Sequence, residues 1–166
     1  MKASTLIQLL NNPDQRVRQK AQFALASNPE RGVPAFSGTL AKDESELGSI
    51  HALWGLWQIG LRLDDSTALL SILRKSLKSK HDEVRAQATH VLADIRAPVE
   101  DNVIKLLNDP SPRVQYHALL GLSKQSGSKG IQEIDDFSRR TQTNDRALRH
   151  AAVSAVVTRH IPKRLA

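Results

Sequence analysis

Histidine is the residue type in this chain with most scope for metal binding or general base chemistry. The six histidines are His51, His81, His90, His117, His150 and His160. None of them forms a His-Glu-x-x-His arrangement, and cysteine is absent, so neither a helical zinc site nor a thiolate site is indicated. We therefore expect structural or surface histidines, with no metal and no cofactor.

Nucleophilic serine chemistry finds no support in the sequence either. A reactive serine is commonly held in a Gly-x-Ser-x-Gly turn between a strand and a helix, and no such turn is present. The Ser/Gly stretch at 126–130 lacks the spacing of a phosphate-binding loop and is predicted to be an ordinary connection. The sequence therefore predicts no catalytic residue and a protein that is not an enzyme.

Arginine and aspartate recur at spacings that indicate a structural role. Arg18 is followed by Asp43, and Arg85 by Asp109, at nearly the same separation along the chain. Arginine and a carboxylate form charge-assisted hydrogen bonds worth ~1 kcal/mol when partly shielded from water. We expect the pairs Arg18–Asp43 and Arg85–Asp109 to form a ladder of contacts that fixes the angle between successive units.

The units themselves are visible as a repeated helical pattern. An apolar residue is followed four positions later by Ala and eight positions later by Leu or Val. Clear copies begin at Val17, Val84 and Val114, a good one at Leu148, and a weaker one at Gly48. This spacing places the apolar residues on one face of a helix, and recurrence about every 30 to 36 residues is typical of stacked helix pairs.

A partner helix precedes each of these segments, and no sustained strand alternation is present. We therefore predict an all-α fold, an α-solenoid of about five stacked antiparallel helix pairs in a single domain, 1–166. The expected units are approximately 1–28, 29–62, 63–96, 97–126 and 127–162. The second pair is expected to be the least regular, because Gly48 replaces its first apolar residue.

The stretches LLNDPSPRVQYHALLGL and LLNNPDQRVRQKAQFALA resemble the HEAT repeat family, including its lyase-like subgroup, whose repeat places Asp or Asn before the second helix. This resemblance covers nearly the whole chain. More narrowly, DQRVRQKAQFALA and IHALWGLWQIG are similar to the HEAT segment of large bacterial multidomain proteins that carry a sugar-dehydrogenase-like propeller and a cytochrome c domain. This narrower resemblance implies an excised, periplasmic module, to which the redox activity of those proteins cannot be assigned.

Four of the six aromatic residues fall on the face of the second helices that is turned away from the core. They are Phe23, Trp54, Trp57 and Tyr116, and His90 shares their face. On the concave side of a solenoid these side chains would line an apolar groove, and exposed Trp and Tyr dominate many protein interfaces. Tight stacking would instead bury them. We predict a non-catalytic scaffold that binds a protein or peptide there, or a spacer between neighbouring domains of a larger chain.

The alternative is nucleic-acid binding, as in HEAT-like DNA glycosylases. The net charge is +7, and basic residues are concentrated in the second half: Arg139, Arg140, Arg146, Arg149, Arg159, Lys163 and Arg164. The predicted groove carries no Lys or Arg, which a groove that follows phosphates requires, so protein binding is favoured. The first eleven residues do not resemble a signal peptide, and no membrane partner is indicated.

Overall fold

The computed structural model describes residues 1–63, 67–94, 100–124, 129–140 and 145–160. All regular secondary structure in these ranges is helical, which confirms the predicted all-α class. The α-helices are α1 (Ala3–Leu9), α2 (Gln15–Ala26), α3 (Pro29–Lys42), α4 (Glu46–Gly60), α5 (Thr67–Ser76), α6 (Asp82–Asp94), α7 (Glu100–Lys105), α8 (Pro112–Ser123), α9 (Ile131–Arg140) and α10 (Arg146–His160). A short 3-10 helix, Leu106–Asn108, continues α7. No helix in these ranges is long and apolar enough to cross a lipid bilayer.

Consecutive helices pack as antiparallel pairs, α1 with α2 through to α9 with α10. The even-numbered helices, called the second helices here, stack side by side in the order α2, α4, α6, α8, α10. They pack on one another more extensively than the odd-numbered helices do. A stack curves towards its more closely packed layer, so the second helices line the concave side of the α-solenoid.

Small residues allow this close approach of helices. The alanine of each repeat is buried where neighbouring helices meet: Ala21, Ala52, Ala88, Ala118 and Ala152. Polar residues in the short turns start the next helix. The side chains of Asp14, Asn28 and Ser45 cap α2, α3 and α4 by accepting a backbone N–H from the first turn. Repeat register and turn positions in the sequence therefore follow directly from packing and capping.

The second pair, expected to be the least regular, is continuous, and that expectation is wrong. Helix α4 runs unbroken for 15 residues. Gly48 leaves room for the side chain of Asn11, which lies in the turn between α1 and α2 and which a Cβ at position 48 would overlap. Gly55 lies against the buried ring of Phe36. Glycine here replaces apolar volume by closer packing. Within the described ranges the irregular pair is the fourth, where the 6-residue α7 passes into a 3-10 turn.

Candidate functional site

Five ring side chains form a continuous row along the concave face. Trp57 and Trp54 of α4 meet edge to face with ring centroids 5.2 Å apart. Trp54 also meets His90 of α6 at 5.4 Å, and His90 meets His117 of α8 at 5.3 Å. Tyr116 ends the row against His117, at 5.3 Å. These separations are favourable for aromatic pairs, and we refer to the five side chains as the aromatic row.

The aromatic row is neither fully exposed nor part of the sealed interior. Trp54, Trp57, His90 and Tyr116 are all half-buried, and both tryptophans and the tyrosine pack against the hydrophobic core. His117 is 8% exposed and joins the two halves of the row. Sequence reasoning did not place His117 in the row. One signal could have placed it there: His117 and His51 occupy the same position in their repeats, and that position faces the preceding second helix.

Phe23 lies one repeat before the aromatic row and is 52% exposed. It opens onto a shallow groove of about 450 Å³ between α2 and α4, and this groove reaches the aromatic row at Trp54. We call it the α2/α4 groove. Its lining is Gln15, Arg18, Gln19, Gln22, Phe23, Leu47, Ile50, His51 and Trp54. Phe23 and Trp54 are thus brought to one surface, which continues into the third and fourth repeats.

His51 joins the two walls of the α2/α4 groove. Its Nε2 accepts a hydrogen bond from Arg18 Nε at 3.0 Å, which assigns the ring proton to Nδ1. Nδ1 then donates to Gln22 Oε1 at 2.7 Å. Burial, followed by the positive charge of Arg18, lowers the pKa of His51. The histidine is therefore neutral at neutral pH, and it holds α2 and α4 together.

Arg85 and Asp109 form the pair that their spacing predicts. Arg85 Nε and Nη2 donate to the two carboxylate oxygens at 2.8 and 2.9 Å, while Nη1 donates to the carbonyl of Ser79 at 2.9 Å. Burial acts to raise the pKa of Asp109, but hydrogen bonds from Arg85 and the Ser111 N–H outweigh it, and the pKa is lowered. The charged pair fastens the third repeat to the fourth.

The predicted pair between Arg18 and Asp43 does not form. Arg18 donates to the carbonyl of Asn12 in its own turn and to His51. Asp43 ends α3 in the left-handed region at φ 48°, and its carboxylate accepts from Ser79 Oγ at 2.7 Å in the following repeat. The left-handed turn directs Asp43 forward to the third repeat, and residue spacing alone could not reveal it.

A family model of HEAT repeats matches the chain over residues 3–93 and again over 67–157. The chain belongs to the HEAT repeat family. Solved structures share the fold at low identity, and no curated protein matches. An engineered protein is 18% identical over 95% of this chain and 79% of its own, with a TM-score of 0.59. A designed armadillo repeat protein in complex with the peptide (KR)4 is 20% identical over 94% of this chain and 81% of its own, with a TM-score of 0.59. A structure of computationally designed armadillo repeat proteins for modular peptide recognition is 20% identical over 95% of this chain and 82% of its own, with a TM-score of 0.58.

The basic residues in the second half of this HEAT stack do not form one surface in the described part of the chain. Four arginines lie where α9 ends and α10 begins: Arg139, Arg140, Arg146 and Arg149. Arg159 is roughly 20 Å away along α10 and is buried, donating to the carbonyl of Lys129. Lys163 and Arg164 lie outside the described residues. The four arginines therefore form a basic patch where α9 and α10 are joined, away from the aromatic row on the concave side.

Charged groups at the edge of the concave side orient one member of the aromatic row. Nε2 of His90 lies 3.1 Å from the carboxylate of Asp94, one turn further along α6. Lys124 of the following repeat contacts the other oxygen of Asp94 at 2.6 Å. These contacts hold the imidazole edge towards the rim and leave the ring in the row.

In the described ranges, no group of three His, Asp or Glu side chains lies close enough to hold a metal ion.

Proposed function

We propose that this HEAT stack is a protein-binding scaffold whose contact surface is the aromatic row together with the α2/α4 groove. The observation that supports it most directly is the continuity of partly exposed rings across the second, third and fourth repeats. Trp and Tyr are enriched among residues that dominate binding energy. Two structurally similar designed armadillo proteins are described as bound to a peptide or made for peptide recognition, which fits this use of the fold.

The partner we propose is a peptide segment with uncharged, mainly apolar side chains. The lining of the α2/α4 groove contains glutamine, leucine, isoleucine and aromatic residues but no carboxylate. Its one cation, Arg18, is buried and already bonds to two carbonyls and to His51. A charged peptide side chain would lose water in this groove without gaining an ionic partner, and this loss is unfavourable.

The test is selection from a displayed library of random peptides on the wild-type chain, followed by affinity measurement on variants. Trp54→Ala should weaken the selected peptides by roughly 30-fold, as truncation of a central aromatic does. Because Trp54 also packs against the core, Phe23→Glu provides a second variant, which places a charge in the groove at an exposed position. Leu61→Ala is the matched control, since Leu61 is exposed and does not line the groove.

We expect the selected sequences to be poor in charged residues and to lose affinity for both groove variants. Urea unfolding of each variant separates lost binding from lost folding. Peptides that bind Phe23→Glu and Trp54→Ala as tightly as the wild type would contradict the proposal and favour a role as a spacer between domains.

A further inference from the structure

The last described second helix, α10, exposes a stripe of apolar residues at positions that the earlier second helices cover fully or in part. Val153 is 58% exposed and Val157 is 48% exposed. Val153 lies five residues after the first apolar residue of its repeat. The residues at that position in the four earlier repeats are at most 5% exposed: Gln22, Leu53, Thr89 and Leu119. There, the following second helix covers the position. Helix α10 thus presents the face that receives another helix inside the stack.

Arg149 adds a polar contact point to the same stripe. It lies one residue after the first apolar residue of its repeat, the position that Arg85 occupies in the third repeat. From there Arg85 reaches Asp109, which stands just before the next second helix. Arg149 is exposed. The edge therefore offers both the apolar stripe and an arginine at the position from which the third repeat binds the fourth.

The opposite end of the stack differs in chemistry. The outer side of α2 carries exposed Lys20 and Ala24, and Arg16 is paired with Asp14 at 2.7 Å. Polar outer faces are what terminal repeats of a solenoid need to remain soluble. The α2 end has the character of a cap, whereas the α10 end has the character of an interior repeat.

We propose that the edge formed by Arg149, Val153 and Val157 binds an amphipathic helix of a protein partner. The bound helix lies parallel to α10, as α8 does to α6, with its apolar face on the two valines. An acidic residue just before its first turn bonds to Arg149, in the place that Asp109 takes relative to Arg85. This edge is separate from the aromatic row. A negative result for helix binding at the edge therefore leaves the proposed peptide binding at the aromatic row untouched, and the reverse also holds.

The absence of cysteine makes the edge directly measurable, because Val153→Cys creates a single thiol in the full chain. The probe is a copy of residues 100–124, which contain α7 and α8, attached to the C-terminus through a flexible Gly/Ser linker. Attachment provides an effective concentration on the order of 1 mM. We expect the appended helices to slow thiol labelling at position 153 by about tenfold or more, since opening of the docked helix must precede reaction.

Two matched controls make the result specific. Ala24→Cys places the thiol on the exposed side of α2, where the appended helices should leave the labelling rate unchanged. Replacing the aspartate of the appended copy that corresponds to Asp109 by asparagine should restore labelling at position 153 about tenfold, the effect of losing a bond between charged groups.

Equal labelling rates with and without the appended helices would overturn the proposal. Protection that is indifferent to the aspartate would also overturn it, because the arginine contact would then play no part. Slow labelling of Val153→Cys in the chain alone, relieved on dilution, would show that a second copy occupies the edge and would likewise reject a helix of another protein.

Discussion

Lowering the pH from 7 to 5 is expected to destabilise the stack through the buried imidazole of His117. Burial, followed by the nearby His90 and Arg113, lowers the pKa of His117 to about 4. Nε2 is buried and has no hydrogen-bond partner among the described residues, so a proton added there would not be stabilised by an acceptor. In the unfolded chain the same imidazole titrates near pH 6.5.

The direction of the effect follows from this difference. The folded state binds the proton less readily than the unfolded state, so stability is complete above about pH 6.5 and is lost as the pH falls towards 4. At 1.36 kcal/mol for each unit of pKa difference, the free energy of unfolding should fall by about 2 kcal/mol between pH 7 and pH 5. Carboxylates with lowered pKa, such as Asp109, add their own loss mainly below this window.

Urea unfolding at pH 7, 6 and 5 measures the total loss, and His117→Phe should reduce it by about 2 kcal/mol, leaving the contribution of His51, whose pKa is also lowered. Phenylalanine keeps a ring beside His90 and Tyr116 but does not titrate. His150→Gln is the control, since His150 is exposed and its replacement should leave the pH dependence unchanged. A pH dependence of His117→Phe equal to that of the wild type, or an NMR titration of His117 near pH 6.5, would refute the reasoning.

Two further predictions concern close packing between helices. Gly55→Ala should lower the free energy of unfolding by about 1 to 3 kcal/mol, because its Cβ would overlap the buried ring of Phe36. Gly38→Ala, with open space around the new methyl, should stabilise α3 by about 0.5 to 1 kcal/mol; equal effects of the two changes on the urea midpoint would disprove this account. Ala118→Leu should cost about 1 to 3 kcal/mol by overpacking its fully buried position, whereas Ala24→Leu on an exposed surface should not. An unchanged midpoint for Ala118→Leu would show that the repeat register is wrong.

The fold was predictable because the repeat pattern and the packing have the same cause. Each alanine that recurs four residues after the first apolar residue is buried where helices approach, so its type is set by available space. The position of Trp54 and Trp57 on the concave face followed from the same register. The degree of their burial did not, because it depends on how closely α6 stacks on α4, which is a property of the neighbouring repeat.

Polar contacts between repeats were harder to predict, because they depend on backbone direction in the turns. The residue one position after the first apolar residue donates to a carbonyl of its own turn in three repeats: Arg18, Arg85 and Gln115. This recurring bond cannot be seen in the sequence, since the acceptor is a backbone oxygen. The left-handed conformation of Asp43 is likewise invisible from spacing, and it redirects the carboxylate that was expected to meet Arg18.

The two ends of the proposed binding surface rest on different kinds of contact. Ion pairs join α6 to α8 and to the residues that flank α8: Arg85–Asp109, Arg113–Glu83 and Lys124–Asp94. Beside the α2/α4 groove, α2 and α4 are instead linked through the neutral ring of His51, between Arg18 and Gln22. Protonation of His51 would remove the acceptor for Arg18 and place two cations in contact. Acid therefore acts on two imidazoles, His51 between α2 and α4 and His117 between α6 and α8. The ion pairs of Asp109 and Glu83, whose carboxyl pKa values are lowered, persist further into acid. Once His51 is protonated, the link between α2 and α4 loses the hydrogen bond from Arg18, while α6 and α8 keep these ion pairs.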